Sequence, residues 1–150
     1  MQYAIVDIET TGSYAAASGI TEISVQVLDE QGILVDRFES LVNPVQQIPY
    51  PIQALTGITN EMVATAPLFE AIAEQVYELL HDKIFVAHSV NFDYSFVKSQ
   101  LSCCGFELQT RKLCTVRLSR KIIPGHRSYS LGKLCEALGI RHENRHRAGG

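Results

Sequence analysis

Residues 3 to 9 read Tyr-Ala-Ile-Val-Asp-Ile-Glu, a strand-like apolar run that ends in a carboxylate pair and is followed at once by Thr10-Thr11-Gly12. In a strand, residues two apart share a face, so Asp7 and Glu9 stand side by side while Ile8 turns the other way into the core. Like charges held that close resist joint ionisation unless a cation sits between them. Hard oxygen donors of this kind suit Mg²⁺ or Mn²⁺, which points to a metal-dependent site at a strand end. Two solvated acids near a strand terminus are the plainer reading of a bare D-x-E, and the rest of the chain must outweigh it.

The remaining length bounds the answer. With 150 residues, 46% apolar and 19% charged, the chain matches one globular domain able to bury its own core. It has no basic start followed by an apolar signal core, and no apolar run nears the ~18 residues that a bilayer span needs. The expectation is a soluble, cytoplasmic protein with no membrane partner. Cys103, Cys104, Cys114 and Cys135 show neither C-x-x-C pairing nor zinc-type histidine spacing, and read as buried free thiols in a reducing compartment.

The formal charge of −3 hides an asymmetry. Residues 1 to 110 carry three basic side chains against fourteen acids, whereas residues 111 to 150 carry ten against two, giving −11 and +8. A polyanion-facing flank in the last quarter would explain the split, provided that those basic residues cluster in space.

The pattern along the chain describes an α/β domain with a mixed sheet. Residues 20 to 28 alternate, turn at Asp29-Glu30-Gln31-Gly32, and resume from 33 to 42 as a hairpin. A proline-bearing loop from Asn43 to Pro51 follows, then a short helical turn over 59 to 62. Phe69, Ile72, Val76, Leu79 and Leu80 recur at helical steps as far as His81, and Ile84 to Ala87 reads as a short buried strand. Asn91 is placed to cap a helix with Phe92, Phe96, Val97, Leu101 and Cys104 inward, which sets Asp93 in its first turn. An edge strand over 112 to 114 and a helix over 115 to 122 come next. Ser130 then caps a last helix that Gly139 closes.

Four segments now stand in order: V-D-I-E-T-T-G at 6 to 12, L-T-G-I-T at 55 to 59, A-H-S-V-N-F-D at 87 to 93, and H-R-A at 146 to 148. Together they resemble the DEDDh, or DnaQ-like, exonuclease family, whose best-known members are the proofreading epsilon subunits of bacterial DNA polymerase III. The resemblance covers essentially the whole chain. It implies a ribonuclease H-like mixed sheet flanked by helices, one exonuclease domain over 1 to 150, and 3′-to-5′ removal of nucleotides in proofreading or repair. It also implies two divalent cations, Mg²⁺ or Mn²⁺, held by Asp7, Glu9 and Asp93. Two such ions activate a water and stabilise the departing 3′ oxygen of a poor electrophile.

The resemblance makes His146 the general base, since an imidazole of reference pKa near 6.5 accepts a proton near neutrality. His81 and His126 have no such context, His142 reads as solvated or phosphate-near, and His88 reads as a loop support. Substrate contacts carried over from the family fall on Thr10, Thr11, Leu55, Thr56 and Phe92, the threonines offering donors and Leu55 wedging against the last bases. The implied partner is a nucleic-acid 3′ end, single-stranded DNA ahead of RNA. A DNA polymerase or further nuclease segments outside these residues would be protein partners.

Two departures matter. Ser89 stands where the family commonly has Asn. The family also reads H-R-A-x-x-D, and residue 150 falls just before that aspartate, so the expectation is a fragment that lacks the C-terminal helix and binds its second metal weakly. An RNA-trimming exoribonuclease and a non-catalytic nucleic-acid-binding or polymerase-associated adaptor are the alternatives. Retained Asp7, Glu9 and Asp93 argue against the adaptor, because clustered acids without a metal are costly.

Overall fold

A computed structural model describes residues 1–141 and 146–150. The N-terminal run, β1 (Tyr3–Thr10), takes the centre of a five-stranded sheet. On one side it pairs antiparallel with β2 (Ile20–Leu28), which pairs antiparallel with β3 (Leu34–Leu41). On the other it pairs parallel with β4 (Ile84–Ala87), which pairs parallel with β5 (Lys112–Cys114). The order β3-β2-β1-β4-β5 is the mixed sheet expected from the pattern.

Helices α3 (Phe69–Leu80) and α4 (Val90–Cys103) cover one face. Ile72, Val76 and Leu80 of α3 and Val90, Phe96, Val97 and Leu101 of α4 meet Ala4, Val6, Ile8, Val25 and Val27 in one core. Each such side chain removed from water contributes roughly 1.5–3 kcal/mol, which anchors β1 rigidly from below. The opposite face carries Ile5, Asp7 and Glu9, all with access to solvent.

Some elements differ from the sequence reading. Tyr50 and Pro51, read as the end of a proline loop, open α1 (Tyr50–Thr56), a helix the pattern did not show, with Pro51 in its first turn where no amide is needed. Gly57 ends it at a φ of 74°, and Thr59 accepts from the Met62 amide at 3.2 Å to start α2 (Asn60–Ala64). L-T-G-I-T therefore spans the stop of one helix and the start of the next. Helices α5 (Thr115–Ile122) and α6 (Leu131–Leu138) complete the chain as expected. Ser130 occupies the N-cap of α6 without a side-chain bond to the helix. The four cysteines are free, but Cys103 is exposed and the other three are only part-buried, with Cys104 and Cys114 packed against the edge of the core. Among the described residues no helix is long and apolar enough to cross a membrane.

Candidate active site

The pairing of β1 with β4 stops at Ile5 with Val86, while β1 runs on to Thr10. β4 ends at Ala87 and the chain leaving it turns into α4, which leaves a crevice where the end of β1 has no strand partner on that side. Crevices of this kind, outside the carboxyl ends of parallel strands, are where open α/β sheets bind ligands. Asp7 and Glu9 line it from β1, and Asp93 enters it from the first turn of α4. The backbone at Ile8 lowers the carboxyls of both Asp7 and Asp93, which places the two acid segments against the same peptide group.

Asp93 is only 4% exposed. Burial, then repulsion from Asp7, pushes its carboxyl up to about 8 against the opposing pull of the backbone amides. Glu9 rises to about 8, chiefly by burial and then by the charges of Asp7 and Glu22, with Arg147 offsetting part of the rise. Asp7 rises to about 6, again mainly through burial. Its outer edge meets solvent, while strand and helix crowd its other sides. Three acids that hold their protons so far above the usual range are coupled groups sharing one field.

The donor set fits a divalent ion of the Mg²⁺ or Mn²⁺ class, being oxygen throughout with no thiol or imidazole among the three. Among the described residues, no three His, Cys, Asp or Glu side chains close into a preformed shell. Mutual repulsion opposes such closure.

The segment joining β4 to Asp93 shows a division of labour. His88 joins the Thr115 hydroxyl at 2.9 Å and the Tyr129 carbonyl at 2.8 Å. The carbonyl can only accept, so Nε2 carries a proton and donates to it. His88 is a loop support, as the sequence implied. Ser89 bends the chain into the left-handed region, at a φ of 68°, where asparagine or glycine is more comfortable. Asn91 does not cap α4; that position is Ser89, which makes no side-chain cap bond, and Asn91 lies inside the helix accepting from Lys112 Nζ at 3.0 Å. Phe92 is 38% exposed and stacks obliquely on Phe96 with centroids 5.0 Å apart.

Other sequence-derived site residues separate into two groups. Leu55 is 57% exposed and free to meet a ligand. Thr56 is buried, donating to the Ile52 carbonyl at 2.9 Å and accepting from the Ile58 amide at 3.1 Å, so its hydroxyl is a helix-end brace rather than a ligand contact. Thr10 donates to the Gly12 carbonyl at 2.6 Å. Thr11 donates to Gln46 at 2.9 Å and accepts from the Gly19 amide at 3.0 Å, while its own amide donates to the Gly19 carbonyl at 2.9 Å. Both hydroxyls are thus engaged within the protein. His146 is exposed at a φ of 65°, next to Arg147. His142 lies outside the described residues.

Sequence reasoning missed two features. A cavity of about 760 Å³ opens beside the crevice, lined by Ser89 to Phe92 from α4 and by Lys112, Arg117, Leu118 and Lys121. It does not include the three acids, but Phe92 and Ser89 join it to them. Arg117 and Lys121, one helical turn apart on α5, place their charges there, so part of the basic C-terminal quarter is a patch. The second feature is Glu22, which receives Arg147 in a two-pronged ion pair. Only strand register could have placed it against the site.

The family model described as Exonuclease, RNase_T, matches residues 4–149. The chain is 43% identical over 149 residues to the protein named 3′-5′ exonuclease DinG of Bacillus subtilis (strain 168), covering 98% of this chain and 16% of that protein. A protein of the same name from Staphylococcus aureus (strain MRSA252) is 37% identical over 147 residues, 97% of this chain and 16% of its own length. The chain therefore spans about a sixth of these curated relatives. Among solved structures, exonuclease X in complex with 5′-overhanging duplex DNA superposes with a TM-score of 0.78 at 28% identity, over 97% of this chain and 81% of that one. The zinc-bound complex of Escherichia coli exonuclease I with single-stranded DNA superposes with a TM-score of 0.88 at 17% identity, over 99% of this chain and 37% of that one, a likeness of fold.

Proposed function

The chain belongs to the exonuclease family, and from that premise we propose that it removes nucleotides from DNA 3′ ends by hydrolysis of phosphodiester bonds, in repair or proofreading. Divalent-metal dependence is general for the family. The observation that carries the reading is the trio Asp7, Glu9 and Asp93, brought from two segments 84 or more residues apart in sequence into one crevice and kept partly protonated by burial. Acids in that condition bind cations in place of protons.

Two Mg²⁺ or Mn²⁺ ions bound there would polarise the phosphodiester, generate a nucleophile from water and neutralise the departing oxygen. The chain's own residues do the rest. Asp7, Glu9 and Asp93 supply the ligand oxygens. His146 takes the proton of the attacking water. Phe92 and Leu55, both exposed, flank the terminal base and exclude water from it. Lys112, Arg117 and Lys121 offer charge to the phosphates of the strand next to the scissile bond. The names of the relatives support the 3′-to-5′ direction, and the basic cavity beside the acids supports a polyanionic substrate.

A 5′-labelled single-stranded DNA oligomer and its RNA counterpart, digested side by side with Mg²⁺ or Mn²⁺, provide the test. The expected result is a ladder of products shortened from the 3′ end of DNA, lost in Asp7→Ala and on chelation. Tight DNA binding with no turnover under any divalent ion would instead make the chain a binding module. Faster digestion of the RNA would replace DNA as the substrate.

A further inference from the structure

Glu22 lies opposite Glu9 in the β1–β2 ladder, so its carboxylate stands on the face that carries Asp7 and Glu9. A further acid there adds to a field that already drives protons onto its neighbours, and it raises both of them. Such an acid needs its own counter-charge. Arg147 provides it, donating Nε to Oε2 at 2.9 Å and Nη2 to Oε1 at 2.8 Å across 125 residues of sequence. The pair is the planar, two-pronged kind that fixes geometry as well as charge. The Glu22 side chain is only 12% exposed, which shields the contact from water.

Charge balance does not account for a third bond. The Ala148 amide donates to Glu22 Oε2 at 3.0 Å, so the same carboxylate holds a backbone as well as a side chain. Ala148 is buried, and the Gly150 amide donates to the Arg147 carbonyl at 3.0 Å to close a turn. Gly149 lies against β3: a Cβ built on it would fall 2.9 Å from Glu39 Oε1. Residues 147 and 148 are therefore pinned to β2, and Gly149 packs against the Glu39 side chain of β3. His146 is the exposed end of the pinned segment, in a left-handed backbone conformation that is strained for a non-glycine residue and persists only where neighbours impose it.

We propose that Glu22 is a positioning residue: by holding the Arg147 side chain and the Ala148 amide together, it fixes the backbone that presents the His146 imidazole at the Asp7–Glu9 strand end. The inference rests on reading His146 as the base that deprotonates the attacking water. The same contact keeps the Arg147 guanidinium beside Glu9, where it offsets part of that acid's rise.

The test uses the full chain with saturating Mn²⁺ and a 5′-labelled DNA oligomer. Glu22→Gln keeps the side-chain volume and removes the charge. It is expected to lower kcat about tenfold to a hundredfold, the range typical of groups that orient active-site residues, with KM moved less than about threefold. In a His146→Ala background the same substitution is expected to cost under about twofold, because residues acting as a unit do not add. Arg147→Lys keeps the charge but cannot span both oxygens, and is expected to lose kcat to a smaller degree. The His146 imidazole proton resonances give a readout independent of turnover, and are expected to move towards random-coil positions in Glu22→Gln.

Unchanged kcat in folded Glu22→Gln, a loss that multiplies in full on His146→Ala, or unmoved His146 resonances would each overturn the assignment. So would His146→Ala with kcat intact, since the base served by Glu22 would then be absent. Asp7→Ala with undiminished turnover is a different failure, because it removes the nuclease reading itself.

Discussion

Asp93→Asn should stabilise the metal-free fold at alkaline pH while abolishing turnover. The Asp93 carboxyl is buried and titrates at about 8 instead of 3.8. A folded-state value above the unfolded one leaves stability intact below about pH 4, and removes it progressively as the pH rises from 4 towards 8. The difference of about 4 units, at about 1.36 kcal/mol each, sets a ceiling of about 6 kcal/mol for the penalty above pH 8. Burial is the larger part of that penalty and the repulsive part is shared with Asp7 and Glu9, both of which keep access to water, so a third of the ceiling, about 2 kcal/mol, is the working figure.

For a chain of 150 residues, 2 kcal/mol corresponds to a Tm gain of about 4–8 °C. At pH 5.5 the folded acid is protonated and about two-fifths of the penalty is in place, so the same substitution gains under about 1 kcal/mol, or about 2–3 °C. The measurement is thermal denaturation in chelator at pH 5.5 and pH 9, followed by Mn²⁺ titration at pH 9. Mn²⁺ should raise the Tm of the parent and have little effect on Asp93→Asn. A variant less stable than the parent at pH 9 in chelator, or a gain of equal size at both pH values, would refute the reasoning.

Three further outcomes test other parts of the molecule. Ser89→Gly relieves the left-handed strain at the entrance to α4 and should raise the Tm by about 2–4 °C, equivalent to roughly 1 kcal/mol, in calorimetry. Arg117→Ala with Lys121→Ala should raise KM for single-stranded DNA and flatten the plot of log KM against log salt by about 1.4, close to 0.7 for each lost phosphate contact; an unchanged slope would remove the strand from that cavity. Thr56→Val should cost about 1–2 kcal/mol in denaturant unfolding, by orphaning the Ile58 amide, with turnover at saturating DNA kept within about twofold. A large turnover defect there would return Thr56 to substrate contact.

How much was legible follows from the range over which each signal acts. Asp7 and Glu9 declared their shared face through the two-residue period of a single strand, and α3 declared its buried stripe through Ile72, Val76 and Leu80. Those signals are local, so the β1 strand end and the helical face beneath it were readable. The helix over 50 to 56 was not anticipated because Pro51, read as the end of a loop, signals a break in a strand and a start in a helix with equal force, and only the left-handed Gly57 after it decides the matter. Asn91 was misread as a cap for a similar reason: the true cap is Ser89, whose backbone, not its side chain, turns the chain into α4.

The basic quarter could be counted but not located, since Arg117 and Lys121 fall together only through the helical turn of α5 and meet Lys112 only through the placing of β5 beside β4.

Glu22 was invisible for a deeper reason. A glutamate in an alternating strand looks like any solvent-facing polar residue, and nothing near it in sequence says otherwise. Its meaning comes from a register that sets it opposite Glu9 and from a partner 125 residues away. The motifs therefore carry the groups proposed to do the chemistry, while Glu22, proposed to hold the last of them in place, is written only in the pairing of two strands.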